Sequence, residues 1–310
     1  VPRLATLFQN RLDPDLSGER LIAQMLADFP DLDAARLALT PAVSERAAVP
    51  DPAAVPDPAA VPDPAAVPPI ALSYDGTVVI LESVAATTGD DLTELTQLSR
   101  LWPDSVPAPA DHAAHIAVNV IRRNAPEAGG DVPHTDAIAD AVLASKVIAA
   151  AVALADSVIA VHFDSAGHVI LPALFRDLAI DTLPQPILPA WVALNVAPRS
   201  DGVMTGHTRG LDVLGLMDIE ILSSPETAEE TFNRIASISI YQLENGPIIH
   251  DGHTLGATAE AEVVAHHGAS AIDPDKTVLH LSFGDATPAT PETETEPSAA
   301  PRMRRRFRRK

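Results

Sequence analysis

A chain of 310 residues, 46% of them hydrophobic, has enough apolar mass for buried cores and a length of about two domains. It has no cysteine, which excludes disulfides, thiolate metal sites and a cysteine nucleophile, and fits a reducing compartment such as the cytoplasm. The net charge of −21 is unevenly spread: the last nine residues, RMRRRFRRK, hold seven of the 21 Lys and Arg residues. The remainder stands near −28, a charge that disfavours nucleic-acid binding by any folded part.

The opening stretch VPRLATLFQNRLDPDLSG lacks the charged-then-apolar pattern of a secretory leader. Within it LATLF reads as a strand. SGERLIAQMLADFP then places Leu21, Ile22, Met25, Leu26 and Phe29 on one helical face, with Pro30 as the stop. ARLAL (35–39) is a second strand. There the run AAVPDPAAVPDPAAVPDPAAVPP (47–69) intervenes, three copies of a hexapeptide and part of a fourth. Proline fixes φ and removes donors, so the run is expected to be extended polyproline II with Asp51, Asp57 and Asp63 along one edge.

Beyond the repeat, IALSYDGTVVILESV predicts two strands around a turn at Asp75–Gly76. TTGDDLTELTQLSRLWP predicts a helix capped by Thr88, with Leu92, Leu95, Leu98 and Trp102 facing inward, and HIAVNVI predicts an alternating strand. This succession approximates the split βαβ pattern of ferredoxin-like domains. The repeat (44–69) is then an insertion inside one domain, not a linker between two.

The second half opens on HTDAIADAVLASKVIAAAVALAD. Asp140, Lys146 and Asp156 in and just after this run argue for a soluble helix leading into a strand, not a membrane span. Strands follow around Ser165–Gly167, a helix in LPALFRDLAI, and strands either side of Ser200–Gly202. TRGLDVLGLMDIEILSS gives a helical turn and a strand in which Glu220 faces away from Ile219 and Ile221. The next helix is expected to start with Ser224 as cap and Pro225 in its first position. Phe232, Ile235, Ile238 and Tyr241 line one face, and Gly246–Pro247 ends it. PIIHDGHTLG and strands around EVVAHHG and TVLHLSF finish the fold. The class is α+β: two ferredoxin-like strand-helix units or one fused sheet, dividing into 1–121, 122–284 and a disordered spacer and tail from 285 to 310.

WVALNV, a DG turn, TRGLDVLGLMDIEI and HDGHTLG, in this order over 190–256, resemble the bacterial family called domain of unknown function 4261. YDGTVVILESV, SRLWP and HAAHIAVNVI look like its upstream half, although ATTGDD stands where a proline-rich turn is associated with the family. The resemblance implies an intracellular bacterial protein without assigned activity, with some relatives beside secreted toxin systems as immunity proteins. An acidic surface neutralising a basic toxin is one expectation that follows. Gly210, Gly215, Gly252 and Gly256 are read as structural turns, because neither a P-loop nor G-x-G-x-x-G spacing accompanies them.

Among chemical candidates, His250, His253 and His280, with Asp251 or Glu262 in support, form the one set that invites a metal or a metal-dependent or hydrolytic enzyme. The spacing lacks H-E-x-x-H, so no metal or cofactor is expected and catalytic residues stay unassigned. HGAS (267–270) approaches a nucleophile elbow without its second glycine. Asp212, Asp218 and Glu220 read as solvated charges. A non-enzymatic binding or interaction module with a protein partner is the reading the sequence favours. The tail offers Arg302, Arg304, Arg305, Arg306, Arg308, Arg309 and Lys310, with Phe307, for weak contact with nucleic acid or an anionic membrane. Folding of this arm onto its own acidic body is the alternative.

Overall fold

The computed structural model describes residues 3–41, 67–109, 111–122, 133–256 and 263–283. Most of the proline-rich insertion, Glu262, and the spacer and basic tail, with all the proposed polyanion-binding residues, lie outside the described residues.

The first sheet holds β1 (Arg3–Gln9), β2 (Ala38–Thr40), β3 (Ile70–Tyr74), β4 (Thr77–Val84), β5 (Ala114–Arg122), β6 (Val158–Phe163) and β7 (His168–Ile170). Their spatial order is β2-β3-β4-β5-β1-β6-β7, with every pair antiparallel. Along β1, Ala5 and Leu7 enter the main core while Phe8 enters a smaller cluster, so alternation covers both faces. Helices α1 (Gly18–Asp28), α3 (His134–Leu154) and α4 (Pro172–Thr182) lie side by side over the first face. On the other, α2 (Leu92–Leu98) packs against β7 with Phe8, Leu92, Trp102, Ala160 and Val169.

The expected division at residues 121/122 does not follow the sheets. β1 is flanked by β5 and β6, so α3, β6 and β7 belong with the first sheet, and the change of sheet falls between β7 and β8 (Ala193–Pro198). Alternation along a strand cannot name its neighbour, and β1 finds one far downstream in sequence. α3 is the one described helix long and apolar enough to cross a membrane, yet residues 143–151 are buried throughout. It packs on α1, on α4 and on a 3-10 turn at Asp212–Leu214.

The second sheet follows α5 (Leu188–Trp191) and comprises β8, β9 (Met204–Arg209), β10 (Ile219–Ser224), β11 (Thr254–Leu255), β12 (Val263–Ala269) and β13 (Thr277–Phe283). Its order is β11-β12-β13-β10-β9-β8, with β10 and β13 parallel and β8 on the edge. α6 (Ala228–Asn245) covers β8, β9 and β10 so closely that a Cβ on Gly206 would stand 2.4 Å from Ile235 Cδ1. Leu7, Val147 and Ile148 share one core cluster with Ile219, Ile221 and Ile235, and Trp191 Nε1 donates to Ser145 Oγ at 2.9 Å. Two separate sheets thus stand on one core.

Two helix starts differ from expectation. α6 begins at Thr227, not at Ser224: Thr227 and Glu230 form a reciprocal capping box, which satisfies two free N–H groups where Ser224 and Pro225 would satisfy fewer. Ser224 ends β10, and its hydroxyl accepts from Thr231 Oγ1. Tyr241, expected inward, is exposed. α2 is capped by Asp91, whose carboxylate accepts from Thr93 and Glu94 N–H, while Thr88 donates to His112 Nε2. Ending early, α2 leaves Leu98 67% exposed.

Candidate functional site

The resemblance motif T-R-G-L and the aspartate after it close one buried corner. Asp218 accepts from Thr208 Oγ1 at 2.8 Å, Leu211 N at 3.1 Å and Gly210 N at 3.4 Å. Burial raises the Asp218 pKa against the pull of those donors, and Asp212 adds to the rise. Gly210 has φ +116°, and a Cβ there would lie 2.5 Å from the Trp191 carbonyl oxygen. Gly215 ends the 3-10 turn in the left-handed region. The motif's polar chemistry is spent on a chain corner, and Asp218 is not the solvated charge its strand position implied.

The second motif turn, HDGH, docks on β12 through Gly252 N to Ala265 O at 2.8 Å and Ala265 N to His253 O at 2.9 Å. The His250 and His253 rings meet edge to face, and His253 Nδ1 accepts from His250 N at 3.2 Å. His280 lies apart, beside Glu220, with Nε2 on the Ala269 carbonyl at 2.9 Å and Nδ1 3.8 Å from Glu220 Oε2. The three candidate histidines are not brought together, and among the described residues no three His, Asp or Glu side chains stand as a metal-holding group. Glu220, also expected in solvent, is buried and accepts from Ser270 Oγ and from Ala271 N at 2.9 Å. Ser270 Oγ in turn accepts from the Ile272 and Asp273 amides. Its hydroxyl pins a turn to a carboxylate and has no histidine base.

A different place gathers unspent chemistry. Where the two sheets meet, a cleft of about 390 Å³ is lined by Arg100, Gly167, His168, Asn195, His207, Arg209 and Phe232, among others. It adjoins a second hollow of about 720 Å³ between residues 97–104 and strands β8 and β9, to which Trp102, Asp104 and Thr205 also contribute. Both volumes fall in the range of about 300–1,000 Å³ common for ligand sites.

The Arg100 guanidinium carbon sits 4.9 Å from the Phe232 ring centroid, which holds the cation in place without neutralising it. Arg209 reaches over the β6–β7 turn: a Cβ on Gly167, at φ +70°, would be 2.6 Å from Arg209 Nη1, so a larger residue there would push the guanidinium aside. Asn195 Nδ2 donates to His207 Nε2 at 3.2 Å, placing the proton of a neutral ring on Nδ1. Burial lowers the His207 pKa against opposing pulls from Glu220 and Asp218. It takes His168 down to about 4, with His162 acting the same way and the Ala190 and Pro189 carbonyls opposing. At neutral pH the cleft's positive charge is therefore that of two arginines.

Among the described residues those arginines differ from most others, and Arg20, which also lacks an acidic partner, donates instead to the Asp15 carbonyl at 2.6 Å. Arg11, Arg36, Arg122, Arg176, Arg199 and Arg234 each hold an Asp or Glu. Lys146, in another hollow of about 400 Å³ beside α3, is likewise engaged by Asp31 at 2.6 Å and lies over the Phe29 ring. The cleft offers two guanidiniums, neutral ring and amide donors and an apolar wall, a set suited to holding a carboxylate. The sequence carried no spacing signal for it, since Arg100 and Arg209 come from different halves of the chain.

Residues 207–282, from β9 to β13, match the model of the family described as Domain of unknown function (DUF4261). The chain is a two-sheet α+β protein, the matched segment lies in its second sheet, and β8, Arg100 and the first sheet lie outside the match. No curated protein and no solved structure matches the chain.

Proposed function

We propose that the folded part of this chain is a non-enzymatic binding module. Its site is the inter-sheet cleft, and its ligand presents a carboxylate. The observation that carries this reading is that, in a chain with 42 acidic residues, Arg100 and Arg209 face the cleft with no Asp or Glu partner among the described residues. Leaving two cations unpaired amid so much negative charge forgoes favourable pairing, which a bound anion restores. Bidentate guanidinium–carboxylate geometry supplies the selectivity that charge alone does not. Within this reading the module works in the cytoplasm, to which its lack of cysteine is suited, and the carboxylate belongs to a protein partner.

Trp102, in the wall of the adjoining hollow, gives the readout. Titration with glutarate as a minimal dicarboxylate is expected to change Trp102 fluorescence saturably. Arg100→Ala or Arg209→Ala is expected to weaken binding by about tenfold each. Undiminished affinity in the double variant would remove the reading.

A further inference from the structure

We infer that the ligand of this cleft is an extended acidic peptide that adds a strand to the open edge of β8. The inference rests on the proposed reading of the cleft and goes further by naming the ligand's form. β8 pairs only with β9, and no hydrogen bond from any other described element reaches the backbone of its residues 194–197. Alternate N–H and C=O groups along an edge strand point away from the sheet and lack partners. Asn195 and Ala197 are exposed, so this edge is reachable, and Pro198 sets the end of the segment able to donate.

Residues of this edge strand border the hollows that hold the arginines. Asn195, Val196 and Ala197 line the larger one opposite residues 97–104, and Ala193, Leu194 and Asn195 line the smaller one with Arg100 and Arg209. An added strand would lie about 4.8 Å outside β8, beside the hollows that cover this face of β8 and β9. Its alternate side chains would project on the same side as Asn195 and His207, which are register partners and share a face with Arg209 two residues on. Carboxylates at every second position of the peptide would then meet the guanidiniums, while Leu98, exposed in the opposite wall, would offer an apolar rest for the intervening residues. Main-chain pairing supplies affinity and the arginines supply the choice of side chain, the division of labour of strand-addition sites.

The test uses the full chain and three probes: acetyl-Glu-Thr-Glu-Thr-Glu-Thr-amide, the same peptide N-methylated at alternate residues, and glutarate. The peptide is expected to bind about tenfold or more tighter than glutarate and to slow amide exchange in residues 194–197. N-methylation, which removes backbone donors and leaves the carboxylates, is expected to cost about tenfold. If N-methylation leaves affinity unchanged while Arg100→Ala still weakens it, strand addition is wrong and the carboxylate site stands. If neither peptide nor glutarate responds to Arg100→Ala or Arg209→Ala, the reading of the cleft falls as well. Peptide binding without protection of residues 194–197 would also overturn the edge as the docking place.

Discussion

The Asp218 corner and the β8 cleft lie within a few residues of each other on β9 and use their polar groups in opposite ways. At the corner every strong group is consumed: the carboxylate takes a hydroxyl and two amides, and Gly210 makes room for the Trp191 carbonyl. In the cleft, Arg209, the very next residue after Thr208, is exposed, and among the described residues Arg100 is braced by an aromatic ring and by no acidic group. A recognisable run of residues can therefore belong to a turn while its least regular member serves a site. Polar groups that a fold consumes explain stability, and those it leaves exposed and braced are where binding is to be sought.

The comparison breaks most visibly at Asp218. Asp218→Ala is expected to cost about 4 kcal/mol in urea unfolding, because it strands the Thr208 hydroxyl and two buried amides. A cost below about 1 kcal/mol would mean that the corner is not held by this carboxylate.

His168, at the cleft's inner wall, comes next. Its pKa is about 4 in the folded chain and near 6.5 when unfolded, so below pH 6.5 the unfolded state binds the extra proton. Its stability contribution is complete above pH 6.5 and is lost as pH falls toward 4, by about 3 kcal/mol in total. Unfolding free energies across that window are expected to fall less steeply in His168→Gln, and identical slopes would contradict the buried neutral ring.

The two motif glycines sharpen the contrast further. Gly210→Ala meets a carbonyl as well as an unfavourable φ, and is expected to cost about 2–3 kcal/mol. Gly252 at φ +79° has open space for a Cβ, so Gly252→Ala carries only the backbone cost of about 1 kcal/mol. Paired thermal melts that ranked them the other way would place the tighter corner in the HDGH turn. Smallest in stability are Arg100→Ala and Arg209→Ala, each within about 0.5 kcal/mol of the parent, because neither exposed guanidinium holds another element by an ion pair.

Local chemistry was legible in the sequence. Asp75 and Gly76 form the β3–β4 turn with positive φ at both residues, the Tyr74–Thr77 pair closes it, and α1 buries Leu21, Met25 and Phe29 as their spacing requires. The start of α6 was legible too, in the Thr227 and Glu230 spacing, but Ser224–Pro225 offers a competing start signal three residues upstream. Not legible were facts set at long range: that β1 accepts β6 as a neighbour, that Asp218 and Glu220 are taken into the interior by partners on other segments, and that Arg100 and Arg209 line one cleft. Periodicity assigns a face to a residue and leaves its partner across the core undetermined.

The central claim is that the binding surface is the β8 cleft and that the motif turns are structural. Amide chemical-shift mapping of the full chain during titration with the alternating Glu-Thr peptide tests it most directly. The account predicts shifts concentrated at residues 97–104, 166–168, 193–197 and 207–209, and abolished in the Arg100→Ala, Arg209→Ala double variant. Shifts centred on His250–His253 and β12, surviving in that variant, would contradict it.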